Sequence, residues 1–121
     1  MAYQIKRKCS FGHDIRGCKM ALHEEPHMRI HVVAFAIVLL LAFALKIEMF
    51  SLFVLPLCYG LVCVVEMINS ALEATFDALC TDHNPYIGKA KDMAAGAVLV
   101  AALNAVTIGL IIFGNRIGEV L

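Results

Sequence analysis

Three apolar runs, Val32–Leu45, Met49–Val65 and Ala94–Phe113, constrain this chain more than any other feature. Hydrocarbon offers the backbone no hydrogen-bond partners, so apolar segments of this length are expected to bond within themselves as helices. A span needs about 17–25 residues, which the third run supplies unaided. The first run reaches that length only if Ile30 and His31 sit in the interface and Lys46 extends its amine outward. Between the first two runs, Lys46-Ile47-Glu48 leaves room only for a tight turn joining antiparallel helices. The apolar content of 61% exceeds the roughly 45–50% of soluble domains, so a membrane class is the first expectation. The polar first thirty or so residues do not resemble a cleaved signal peptide.

Basic residues set the expected orientation. Lys6, Arg7, Lys8, Arg16, Lys19 and Arg29 precede the first span, and Lys89 and Lys91 lie between the second and third. The turn carries only Lys46 and the C-terminal tail only Arg116. The positive-inside rule then puts the N-terminus and residues 66–93 in the cytoplasm and the C-terminus outside. The five cysteines form no CxxC pair and, by this topology, lie where disulfides are rare, so they read as small apolar filler.

One domain over residues 1–121 is expected. Phe11, Ile15, Cys18 and Leu22 recur at the spacing of one helix face and are flanked by basic residues. Next to a span, that pattern predicts an amphipathic helix over residues 1–25 lying in the headgroup plane, rather than one packed on a soluble partner. Pro26 marks its end, because proline disfavours helix in the residue before it. Helices containing the spans are expected over 30–47, 49–79 and 87–113. Pro56 should kink the second without ending it. Ala71, Ala74 and Ala78 suggest close packing where that helix leaves the membrane, and Ala94, Ala95, Gly96 and Ala97 suggest the start of the buried part of the last. Thr81-Asp82-His83-Asn84-Pro85 has the composition of a loop.

The residues that could carry chemistry stand where the second span ends. Glu66, Asn69, Glu73 and Asp77 follow Val65 at spacings of three, four and four, which sets them on one narrow helix face. Carboxylates near hydrocarbon are costly, so a line of them at the boundary calls for a function. A solvated acidic face would account for Asp77 but not for Glu66, which abuts Val65. Magnesium takes one or two carboxylates together with substrate phosphates, and either Glu24 or Glu25 could supply a further ligand from the break before the first span. Lys89-Ala90-Lys91-Asp92 could place a lysine against phosphate, assisted by a nearby helix N-terminus, or could simply anchor the span. His23, His27 and His31 have metal-ligand spacing, but Pro26 interrupts the helix they would need. The chain has no P-loop, no kinase HRD or DFG set, no GxGxxG, no nucleophile elbow and no HExxH. Two other classes remain compatible with the stripe: a non-catalytic membrane scaffold, and an oligomeric cation pore lined by Glu66 and Glu73.

The run Val65-Glu66-Met67-Ile68-Asn69-Ser70-Ala71-Leu72-Glu73-Ala74, then Asp77, then Ala90-Lys91-Asp92-Met93-Ala94-Ala95-Gly96-Ala97-Val98, resembles the small bacterial integral-membrane diacylglycerol kinase and undecaprenol kinase family. The resemblance covers nearly the whole chain. Met28-Arg29-Ile30-His31, the run Ala94-Ala95-Gly96-Ala97-Val98 and Gly109-Leu110-Ile111-Ile112-Phe113 are more similar to the undecaprenol kinase branch than to the classical diacylglycerol kinase branch. The resemblance implies an all-α homotrimeric bundle, each subunit with a surface helix and three transmembrane helices, in the bacterial cytoplasmic membrane. It implies active sites shared between subunits on the cytoplasmic side, which use ATP and Mg2+ to phosphorylate a lipid alcohol, with no nucleic-acid partner. Glu66 would be the general base, Glu25 and Glu73 the magnesium ligands, and Asn69 a supporting residue. Lys91 would contact phosphate, and Asp77 and Asp92 the nucleotide; Lys6 and Gly17 stand where the family has residues near it. Undecaprenol is the favoured acceptor and diacylglycerol the alternative. Asp82-His83-Asn84-Pro85-Tyr86 departs from the Tyr-His pair common there, so no role is carried over to His83.

Overall fold

A computed structural model describes residues 10–79 and 84–121, with side chains from residue 12. Four helices make up the described chain: α1 (Ser10–Glu24), α2 (Pro26–Ala44), α3 (Met49–Leu79) and α4 (Pro85–Val120). No strand occurs among the described residues. At about 1.5 Å per residue, α2 is about 28 Å long, close to the hydrocarbon thickness. The same rise makes α3 about 46 Å and α4 about 54 Å, so both project beyond a bilayer. The protein is thus an all-α membrane protein with three helices long and apolar enough to span.

The break between α1 and α2 follows from Pro26. Glu25 is extended (φ −105°, ψ 107°), as a residue before proline must be, and Pro26 then occupies the first helical position of α2. Proline suits that position, so α2 starts four residues before the expected residue 30. On α1, Ile15, Cys18 and Leu22 are all exposed on the apolar face.

The end of α2 is a Schellman turn. Ile47 N donates to Ala42 O at 3.0 Å and Lys46 N to Phe43 O at 3.2 Å, with Lys46 in the left-handed region at φ 54°. Most such turns place glycine there; here a lysine accepts the strain. Buried Ile47 packs with Ala42 and Leu55, the apolar contact that accompanies this motif. The turn stops the helix at Ala44, short of the expected residue 47. From the other side, Arg116 Nε donates to Leu45 O at 2.7 Å and caps a helix-end carbonyl.

Helices α3 and α4 form the principal pair. Cys58 and Val62 of α3 meet Ala101 and Ala105 of α4, with Val54, Val65 and Ile108 around them. Two alanines four residues apart allow close approach without side-chain ordering cost. Within the single chain the packing alanines lie further along α4, while Ala71, Ala74, Ala78, Ala95, Gly96 and Ala97 are exposed. Helix α2 joins through Phe35 stacked on Tyr59, with ring centroids 5.1 Å apart and planes at 24°. Pro56 lies within α3, which continues through it. Helix α4 also passes Gly114 and Gly118 to reach Val120, seven residues beyond the expected Phe113. Two glycines weaken a helix without ending it, and Arg116 fastens this extension to the turn.

Candidate active site

The beginning of α2, the end of α3 and the beginning of α4 lie at one end of the bundle. The acidic stripe reaches that end as a continuation of the core. Leu55, Cys58, Val62 and Glu66, the buried residues of α3, are spaced three, four and four, and Glu66, Asn69, Glu73 and Asp77 repeat that spacing. Eleven residues over three turns is close to the natural helical period, so the face does not drift. The surface that grips α4 within the membrane therefore turns acidic as it leaves.

Burial falls along this face. Glu66 is 6% exposed and is the one buried charged residue among those described. No hydrogen bond to its carboxylate is found among the described residues. Asn69 is half-buried, and its Oδ1 is fully buried without a partner. A buried amide oxygen left unpaired is unusual and marks a position where a ligand or a second chain can donate. Glu73 and Asp77 are exposed.

Asp77 and Lys91 meet across the connection between α3 and α4, with Nζ 3.0 Å from Oδ1. Their side chains are 71% and 40% exposed, so the pair adds less than about 1 kcal/mol and yields readily to a stronger anion. The sequence reading gave both residues to the nucleotide without pairing them; opposite charges flanking a short connection were the available signal. The pair and the alanine contacts set an antiparallel register that lays Glu66 and Asn69 alongside the Ala94–Ala101 segment of α4.

One expectation at α4 is corrected. Its N-terminus lies at Pro85, capped by Asn84, whose Oδ1 accepts from Tyr86 N at 2.9 Å. Lys91 lies about 9 Å further along, beyond the reach of the N-terminal donors, so it acts through its own charge. Asp92 is exposed one position on. Gly17 is exposed on α1, and a side chain there would meet nothing within 4 Å, so no close approach explains its glycine. Lys6 and His83 lie outside the described residues.

Among the described residues, no three His, Cys, Asp or Glu side chains converge to hold an ion. Glu25, half-buried at the N-cap of α2, makes no side-chain capping bond, so its carboxylate remains available. Hard oxygen donors on Glu25 and Glu73 have the chemistry magnesium prefers, and the chain alone is too few-liganded to retain it without phosphate oxygens or a neighbour.

Fold and site together define a small polytopic membrane protein whose acidic and basic side chains meet at one end of its helices. The prokaryotic diacylglycerol kinase family matches residues 12–113, and the chain belongs to that family; it is a membrane lipid kinase. It is 35% identical over 104 residues to an undecaprenol kinase of Bacillus subtilis (strain 168), covering 86% of this chain and 85% of that one. It is 31% identical over 107 residues to a diacylglycerol kinase of Escherichia coli (strain K12), covering 88% of each. A diacylglycerol kinase of Synechocystis sp. is 37% identical over 101 residues, covering 83% of this chain and 58% of that one.

Proposed function

We propose that this protein transfers the γ-phosphate of ATP to the hydroxyl of a membrane lipid alcohol, with undecaprenol as the preferred acceptor. The observation that carries the reading is the placement of Glu66: a buried glutamate on the core face of α3, one turn beyond Val62, directly at the end of the apolar run Met49–Val65. A lipid hydroxyl and a soluble nucleotide can both reach that level. The attacking lipid hydroxyl has a very high pKa, so its proton must pass to an acceptor as the oxygen attacks, and Glu66 takes it. The new O–P bond forms as the bond from γ-phosphorus to the ADP oxygen breaks, and ADP leaves with that electron pair. Positioning and charge neutralisation supply most of the catalysis in such transfers.

Glu25 and Glu73 would hold Mg2+, which neutralises the phosphate oxygens when bound. Lys91 leaves Asp77 to meet the phosphates, and Asp77 and Asp92 turn to the nucleotide. Asn69 orients a donor through its unpartnered Oδ1. Gly17 and Lys6 would lie at the nucleotide's edge. Because one chain does not complete the metal site, we place it between subunits of a homotrimer. By the positive-inside rule that site faces the cytoplasm of a bacterial inner membrane.

The preference for undecaprenol draws on the similarity to the Bacillus subtilis undecaprenol kinase. Diacylglycerol is the second reading, supported by the Escherichia coli and Synechocystis relatives. Purified protein in micelles, given labelled ATP and each acceptor side by side, tests the choice. Faster labelling of undecaprenol is expected; faster labelling of diacylglycerol would reverse the order.

A further inference from the structure

The opposite end of the bundle contains a cavity that the kinase chemistry does not use. It measures about 310 Å³ and lies between the α2–α3 turn and the last turns of α4. Its polar lining is Lys46, Glu48, Ser51, Asn115, Arg116 and Glu119. Three of these, Asn115, Arg116 and Glu119, lie beyond residue 113, where the family match ends.

The charges in this cavity are balanced and only partly satisfied. Arg116, 31% exposed, gives Nε to Leu45 O and one terminal nitrogen to Glu119 at 3.1 Å, which leaves further guanidinium donors unused. Among the described residues, neither Lys46 nor Glu48 has an ion-pair partner. An anion alone would face two carboxylates here, and a cation alone would face Lys46 and Arg116. A ligand carrying both charges a few ångströms apart meets both sets. The position selects an amphiphile: Ile111 and Ile112 form part of the wall, and exposed Met49, Phe50 and Leu110 continue from this end into the apolar spans. A headgroup in the cavity would lead its acyl chains onto those side chains.

The lining also distinguishes between zwitterions. A quaternary ammonium has no N–H and is usually seated on aromatic faces, and this cavity has none. A primary ammonium donates to carboxylates, and Glu48 and Glu119 are the acceptors at hand. We propose that this end of the protein binds a phospholipid whose headgroup carries a primary amine beside its phosphate, with Lys46 and Arg116 on the phosphate and Glu48 and Glu119 on the amine. The proposal stands apart from the kinase reading and from its acceptor.

The full chain is reconstituted into nanodiscs of equal parts phosphatidylethanolamine, phosphatidylcholine and phosphatidylglycerol, then extracted gently, and the lipid it retains is identified by mass spectrometry. Retained phosphatidylethanolamine should exceed each of the others by about fivefold, the ratio one additional partly exposed ion pair provides. Lys46→Asn keeps the left-handed turn, since asparagine tolerates it, and combined with Glu48→Gln should bring the ratio to about one. Equal retention of all three lipids by the unaltered protein would overturn the proposal. So would an enrichment that the double variant leaves unchanged, or retention led by phosphatidylglycerol or phosphatidylcholine.

Discussion

Replacing Glu66 should separate stability from activity. The residue is 6% exposed, on the face where Val62 is 2% exposed, and no hydrogen bond to its carboxylate is found among the described residues. Burying a polar side chain without a hydrogen-bond partner is unfavourable, and its replacement by a well-packed apolar group is often stabilising. Glu66→Met, of similar length, should therefore raise the free energy of unfolding in mixed micelles by about 1–3 kcal/mol. Glu66→Gln keeps the shape and removes the base. It should lower kcat by about 10²–10⁴ while leaving the KM for nucleotide near its original value, the pattern of a group that acts only in the transition state. The assays are initial-rate kinetics with labelled ATP and reversible unfolding in mixed micelles. A Glu66→Gln protein that retained more than about a tenth of the rate would refute the role as base. A Glu66→Met protein less stable than the original would refute the view that this carboxylate is held at a cost to the fold.

Three further substitutions test other parts of the account. Glu73→Ala should raise the KM for magnesium nucleotide more than it lowers kcat, measured in the same assay; a pure loss of kcat would merge its role with that of Glu66. Arg116→Gln removes the charged donor to Leu45 O and should lower unfolding free energy by about 1–2 kcal/mol, read by denaturation in micelles. Ala105→Leu places a larger side chain against Cys58 and Val62 and should destabilise the protein by about 1–3 kcal/mol, with an unchanged midpoint counting against the α3–α4 contact described above.

Much of this architecture could be read from residue spacing, because spacing on a helix is geometry. Glu66, Asn69, Glu73 and Asp77 had to share a face once α3 was a helix, and the abutment of Glu66 on Val65 already implied burial. Helix ends were harder. Lys46 gives no sign that it will take a left-handed turn usually reserved for glycine, so α2 was expected to run too far. Helix α4 was expected to end at Phe113, and the contact between Arg116 and Leu45, 71 positions apart in sequence, fastens a longer helix that no local pattern announced. Within the chain, the packing alanines are Ala101 and Ala105, which no local pattern marked, since small residues permit contact without specifying a partner. The approach of Lys91 to Asp77 depended on the register of two helices, which no local pattern carries. No three His, Cys, Asp or Glu side chains converge among the described residues, so the magnesium site proposed at Glu25 and Glu73 would need phosphate oxygens or a second chain to complete it.

The central claim is that divalent metal on acidic side chains at the bilayer edge presents ATP to a lipid alcohol. The direct measurement is phosphate transfer from labelled ATP to undecaprenol and to diacylglycerol by purified, assembled protein, with magnesium titrated in and then removed by chelation. The account predicts labelled lipid that rises with magnesium and disappears with the chelator. Transfer that persisted unchanged without divalent metal, or no labelling of either lipid at any magnesium concentration, would contradict it.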